Sequence, residues 1–137
     1  MPAIDPALLE IPTEVSRHLM NLERLRLVEH RDNGDYRISA SGDLIISNAD
    51  RLQSRIDQAI KAGSTFIILD LSGVAYIDSF GIGVVIKTKS EIDKKRGRLR
   101  VIVSPTIHTL FEKCHLDDYI DLELKPIEGE EAAEEQE

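Results

Sequence analysis

A chain of 137 residues is long enough for one domain with a single core and too short for two ordinary ones. Hydrophobic residues make up 42% and charged residues 31%, the balance of a soluble globular protein, and no run of about 18 apolar residues occurs, which excludes a membrane span. Net charge is −8, but six glutamates within residues 128–137 carry most of it. The remainder is nearly balanced, which argues against nucleic acid as a partner, because phosphate binding needs a net basic face.

The start, Met1-Pro2-Ala3-Ile4-Asp5, lacks the basic and then apolar pattern of a secretory signal. Cys114 is the single cysteine, so neither a disulfide framework nor a cysteine zinc site is expected, and the expected address is the cytoplasm.

In chain order, residues 4–30 read as mostly helical. Pro12 breaks what precedes, Thr13 is a candidate N-cap, and Val15, Leu19, Leu22 and Leu25 recur at spacings of four and three. Residues 1–34 are therefore set apart as an N-terminal helical extension, closed by the turn cluster Asp32-Asn33-Gly34-Asp35. Its apolar stripe needs cover, from its own domain or from a second copy in a homodimer.

From Tyr36 strands and helices alternate. Tyr36, Ile38 and Ala40, then Leu44-Ile45-Ile46 after a Ser41-Gly42 turn, predict two short strands. Ser47 or Asn48 can cap a helix burying Leu52, Ile56, Ala59 and Ile60, which Gly63 ends. Phe66-Ile67-Ile68-Leu69 is the uninterrupted apolar run of a central strand. A second helix starts near Asp78, presenting Ile82, Val85, Ile86, Lys89 and Ile92, and ends before Gly97. The strand Leu99–Val103 follows. Ser104-Pro105 then opens a third helix, burying Ile107, Leu110, Phe111 and Cys114, before a final strand at residues 120–124.

Strand, helix, strand units of this length require parallel strands with right-handed crossovers. The expected fold is thus α/β, one domain over residues 35–125 with a mixed sheet of four to five strands packed with helices. The acidic segment 126–137 is expected to be a disordered tail, having too few apolar residues to order itself.

No phosphate-binding loop, zinc-protease motif, nucleophile elbow or dinucleotide fingerprint is present. His18, His30, His108 and His115 have no metal-ligand spacing; seven residues on one helix put His108 and His115 about 10 Å apart. Neither catalytic residues, metal nor cofactor is therefore expected. Cys114, on an apolar face, is expected to be a buried and inert thiol. Lys94-Lys95-Arg96, with Arg98 and Arg100, sits where cations complement a helix C-terminus.

The informative stretch is Asp70-Leu71-Ser72-Gly73-Val74-Ala75-Tyr76-Ile77-Asp78-Ser79-Phe80-Gly81-Ile82-Gly83. A buried strand leaves the sheet, turns at Ser72-Gly73 and enters a helix at Asp78-Ser79, both good N-cap residues. Gly81 and Gly83 each cost about 1 kcal/mol relative to alanine inside a helix. Close packing on the sheet, or close approach by a partner's backbone, should offset that loss. The product is a serine hydroxyl at a helix start, on a side left open by two missing side chains.

This stretch resembles the signature of the anti-sigma-factor antagonist (STAS) family: a DLSG strand end, then Asp-Ser-x-Gly-hydrophobic-Gly. Ser41-Gly42-Asp43-Leu44, Gly97 to Val101, Ser104-Pro105, Leu110-Phe111-Glu112 and His115-Leu116-Asp117 fit the family's order, so the likeness spans about residues 35–124. It implies a STAS-like fold and a non-enzymatic, cytoplasmic regulator that works by partner switching. The unmodified antagonist would bind an anti-sigma factor, often itself a serine kinase, and so release a sigma factor. Phosphorylation at Ser79 would end the complex, and a serine phosphatase would restore it. By the same matching, Asp78 shapes the acceptor site, and Asp78, Ser79, Phe80, Gly81, Ile82 and Gly83 form the partner-binding surface.

Two features depart from the minimal antagonist. Phe80 stands where Ser or Thr is common, as in STAS proteins that build signalling scaffolds, and the N-terminal extension has no counterpart. A phosphorylation-independent accessory subunit of a membrane transport or lipid-transport complex is the alternative implied by the same fold. A third reading is a nucleotide sensor holding phosphate at the helix N-terminus, but no basic residue lies near Ser79 in sequence to assist.

Overall fold

The computed structural model describes residues 25–126. The elements run β1 (Arg26–Asp32), β2 (Asp35–Leu44), α1 (Ala49–Lys61), β3 (Phe66–Ile77), α2 (Ser79–Lys94), β4 (Arg98–Val103), α3 (Pro105–Lys113) and β5 (Asp121–Leu124). They build one five-stranded sheet in the order β1-β2-β3-β4-β5, parallel from β2 onward and antiparallel between β1 and β2. The expected mixed sheet is present.

Because each strand-helix-strand unit steps to the next strand in one direction, right-handed crossovers put α1, α2 and α3 on one face. That face carries the core: Tyr36 and Ile38 of β2, Ile67, Leu69 and Leu71 of β3, and Val101 and Val103 of β4 are fully buried. The alternate residues face the other way and are largely polar. Arg37, Ile68, Arg100 and Asp121 lie side by side across four strands. On this face Arg37 pairs with Asp70 at 3.0 Å, Arg100 with Asp121 at 3.3 Å, and Arg98 stacks over Phe66.

The expected helix does not reach residue 30. Arg26–Asp32 is a strand, and Asp32-Asn33-Gly34-Asp35 is the hairpin turn into β2, with Asn33 and Gly34 both at positive φ. The cause is pairing with β2: it turns Leu25 and Leu27 inward and leaves Arg26 and Val28 exposed, a period of two that a helix would not give. Leu25 is buried in the core as the lead-in to this strand rather than as the last turn of a helix. Val15, Leu19 and Leu22 lie outside the described residues, as does the tail beyond residue 126.

The two short strands expected around Ser41-Gly42 are one strand, β2, with register shifts at Ser39/Ser41 and Gly42/Asp43. Gly42 takes φ 104°, which lets the chain bulge without leaving the sheet. The Ser72-Gly73 turn is likewise absent, since β3 runs on to Ile77. A Cβ on Gly73 would lie 2.9 Å from the Ser41 Cβ, so the glycine admits the bulged strand beside it.

Asp70 fastens this region. Its carboxylate accepts from the Ser72 hydroxyl at 2.6 Å, the Ser72 N–H at 3.0 Å and Arg37 at 3.0 Å. Burial works to raise its pKa, but these hydrogen bonds, with the charge of Lys125, outweigh it and hold the carboxyl below the usual range. A depressed carboxylate contributes stability above its unfolded pKa, near 3.8, that is lost as pH falls through the folded value. Asp70→Asn should therefore reduce stability at pH 7 and flatten the acid side of a stability-pH profile, as read by urea melts from pH 7 down to pH 3.

Helix α2 is rotated relative to the expected stripe. Gly81, Val84, Val85, Thr88 and Ile92 are buried, Ile82 and Lys89 are half-buried, and Ile86 is exposed. Thr88 fits the core because its hydroxyl donates to the Val84 carbonyl at 2.7 Å. Cys114 is also corrected: it is the C-cap residue of α3 and exposed, since the helix ends at Lys113 and the chain turns away through His115 at φ 57°.

Candidate functional site

The C-terminal ends of β2 and β3 meet at the start of α2. Asp78 is the N-cap, with extended backbone geometry. One carboxylate oxygen, Oδ1, accepts from the N–H groups of Phe80 and Gly81 at 2.9 and 3.1 Å. The other, Oδ2, accepts from the Ile46 N–H at 2.9 Å, while the Asp78 N–H donates to the Leu44 carbonyl at 3.2 Å. Asp78 thus caps its helix and ties it to the loop after β2.

That loop is held from its other side by buried Asn48. Its Oδ1 accepts from the Ile45 N–H at 2.9 Å, and its Nδ2 donates to the Asp43 carbonyl at 2.8 Å. Asn48, one of the two cap candidates in sequence, is the N-cap position of α1, but its side chain makes no cap hydrogen bond and closes the loop. The result presents the Ile46 N–H to Asp78. Asp78→Ala leaves three backbone donors without their acceptor and should cost about 2 kcal/mol, toward the upper end for a lost cap. Asp78→Asn should recover part of that loss in a thermal melt, because its amide oxygen can still accept.

Ser79, the first residue of α2, is exposed. Its hydroxyl and its backbone N–H have no hydrogen-bond partner among the described residues. Phe80 beside it is 54% exposed, and Gly83 one turn on faces open space, with nothing within 4 Å of where a Cβ would sit. Gly81 differs. A Cβ there would come within 2.7 Å of the Leu44 carbonyl oxygen and against Ile77. Of the six residues expected to form the partner surface, Ser79, Phe80 and Gly83 are open, and Asp78 and Ile82 are half-buried. Gly81 is corrected to a packing residue, because its missing side chain is what seats α2 on the sheet.

Sequence reasoning missed Ile46, 61% exposed with its N–H on Asp78, and Tyr76, 54% exposed near the end of β3. Ile46 reads in sequence as the end of a short strand, and Tyr76 as part of the connection between the Ser72-Gly73 turn and the helix start. The available signal was the Ser47-Asn48 cap pair, which leaves Ile46 too close to the next helix to remain in a strand. Beyond Tyr76 lies a groove of about 590 Å³ between the end of β3 and α3, lined by Ala75, Ile77, Ile107 and Leu110, with Lys113 at its edge. It exists because β3 pairs with β4 only as far as Asp70, while its last residues continue with β2 alone. No group of His, Cys, Asp and Glu among the described residues is arranged to hold a metal ion.

A family model described as STAS domain matches residues 25–131, a span that includes β1. An anti-sigma F factor antagonist of Paenibacillus polymyxa is 30% identical over 99 residues, 71% of this chain and 82% of the relative. Among solved structures, an anti-sigma factor antagonist from Mycobacterium paratuberculosis is similar with a TM-score of 0.66 at 19% identity, covering 83% of this chain and 96% of that one. The anti-sigma factor antagonist SpoIIAA in its unphosphorylated form gives 0.59 at 21% identity, over 82% and 97% of the two chains. The phosphorylated form of the Bacillus cell fate determinant SpoIIAA gives 0.59 at 22%, over 83% and 100%. At these identities the solved structures share the fold.

Proposed function

The chain belongs to the STAS domain family, and from that premise we propose that it is an anti-sigma factor antagonist acting by partner switching, with Ser79 as the phosphorylated switch. The observation that carries this reading is the Ser79 hydroxyl. It is exposed, free of hydrogen bonds among the described residues, and held at the first position of a helix whose cap is fixed by three backbone donors. A kinase can reach such a hydroxyl without unfolding anything.

The surface around it suits a protein partner. Ile46, Tyr76 and Phe80 supply exposed apolar area, and Gly83 allows another backbone to come close. In the unmodified state this surface binds an anti-sigma factor that is also a serine kinase. Phosphorylated Ser79 releases it, and a serine phosphatase resets the chain. The chain is then a substrate and a ligand, not an enzyme, and works in the cytoplasm. Among the described residues no helix is long and apolar enough to cross a membrane.

The test is an affinity capture with wild-type and Ser79→Asp chains as baits, followed by mass spectrometry. A serine kinase retained by the wild type and lost by the substituted form is the expected result. Equal retention of every captured protein by both baits would overturn the assignment of Ser79.

A further inference from the structure

We infer that the edge of β3 beyond Asp70 takes up an extended, acidic segment of a partner protein as an added strand. The site is the groove between the end of β3 and α3, and Ser79 is not part of its lining.

β3 is the middle strand of the sheet, yet over its last residues it has a neighbouring strand on one side only. Its pairing with β4 ends at Asp70 and Ile102, while its pairing with β2 runs on to Ile77. β4 stops because Ser104-Pro105 turns the chain into α3. Backbone N–H and C=O groups point to both sides of a strand, so part of those in residues 73–77 face the groove. The Ser72 N–H is taken by Asp70 at 3.0 Å. Beyond it, no strand or side chain among the described residues hydrogen-bonds to β3 from that side. Gly73, Ala75 and Tyr76 are exposed, so the edge is open to solvent. An open strand edge is a template for another strand.

The walls of the groove select the occupant. Ala75 and Ile77 of β3 and Ile107 and Leu110 of α3 make them largely apolar, and exposed Lys113 is the one charged residue of the lining. A hydrocarbon ligand would bury the strand edge and leave its N–H and C=O groups unpaired. An extended peptide supplies the missing hydrogen bonds, and its alternate side chains reach the apolar walls. A carboxylate on that peptide answers Lys113. A second copy fits less well, because its outer strands carry charge where the groove is apolar: Arg26, Glu29 and Arg31 on β1, Asp121 and Glu123 on β5.

The test is amide exchange by NMR on the full chain. Its probe is a seven-residue peptide with capped ends, alternating valine and threonine between terminal glutamates. At ten times its dissociation constant, groove-facing amides within Gly73–Ile77 should exchange with solvent about tenfold more slowly. The methyl signals of Ile107 and Leu110 should shift in the same titration. Two further peptides are N-methylated, one at the valines and one at the threonines. An added strand turns alternate N–H groups toward β3, so one of the two should bind at least tenfold more weakly. Lys113→Glu, at an exposed position, should reverse the preference toward a peptide with terminal lysines. No protection by the glutamate peptide would overturn the inference. Equal binding of all three glutamate peptides would overturn it too, by leaving only a side-chain pocket. The same amides protected without peptide would show the edge filled by the chain itself, or by a second copy if protection rises with concentration, and either result overturns it. None of these readings involves a kinase or the Ser79 hydroxyl, so their failure is distinct from a failure of the switch.

Discussion

Phosphorylation of Ser79 should leave the fold intact and weaken partner binding by about two to three decades. The modification adds about −1.5 to −2 charges and three acceptor oxygens at pH 7. At the start of α2 the helix dipole and the Ser79 N–H, without a partner among the described residues, both favour negative charge, so the domain's melting temperature should hold. The partner interface responds in the opposite direction. A backbone lying over Gly83 and against Phe80 leaves little room for a phosphate, and Asp78 next door is already negative. Clash and desolvation of about 3–4 kcal/mol correspond to the stated loss, each 1.4 kcal/mol being tenfold. Ser79→Ala should bind constitutively and resist the kinase, while Ser79→Asp, one charge short of phosphoserine, should fold normally and bind with intermediate weakness. Calorimetric titration of partner into phosphoserine-79 protein decides the matter: affinity equal to that of the unmodified chain would remove Ser79 as the switch.

The second large effect separates two glycines that look alike in sequence. Gly81→Ala should destabilise the domain by about 2 kcal/mol, because overpacking a tight contact typically costs 1–3 kcal/mol. The new methyl would meet the Leu44 carbonyl oxygen at 2.7 Å and Ile77 closer still. Ile77 sits at the end of β3 and the carbonyl belongs to β2, so neither can step aside without moving the sheet. A fall in Tm of about 10 °C is expected for a domain of this size. Gly83→Ala meets nothing within 4 Å and should be as stable as the wild type or up to about 1 kcal/mol more stable, from helix propensity. Its expected cost is in binding, where a methyl group holds a partner's backbone away and affinity should drop at least tenfold. A Gly83→Ala chain that is both more stable and equally tight in binding would show that this glycine has no role at the interface.

The sequence by itself determined the alternation of elements from Tyr36 to Leu124, the parallel sheet it implies, and the Ser79 helix start. Those features rest on local patterns: the apolar run at Phe66–Leu69, the Ser104-Pro105 start whose serine oxygen accepts from the Ile107 N–H, and Gly63 at φ 99° after α1. Tertiary structure decided the rest. Leu25 fits a helical spacing with Leu22 and a strand spacing with Leu27, and only the presence of β2 alongside selects the strand for residues 26–32. Which face of α2 is buried followed from Gly81, whose contact with Leu44 and Ile77 turns Val84 and Thr88 inward and leaves Ile86 out. The apolar surface beside Ser79 could not be read from sequence, because Ile46 and Phe80 are 34 positions apart. One carboxylate bonding to both of their N–H groups makes them neighbours, and that is a property of the folded chain.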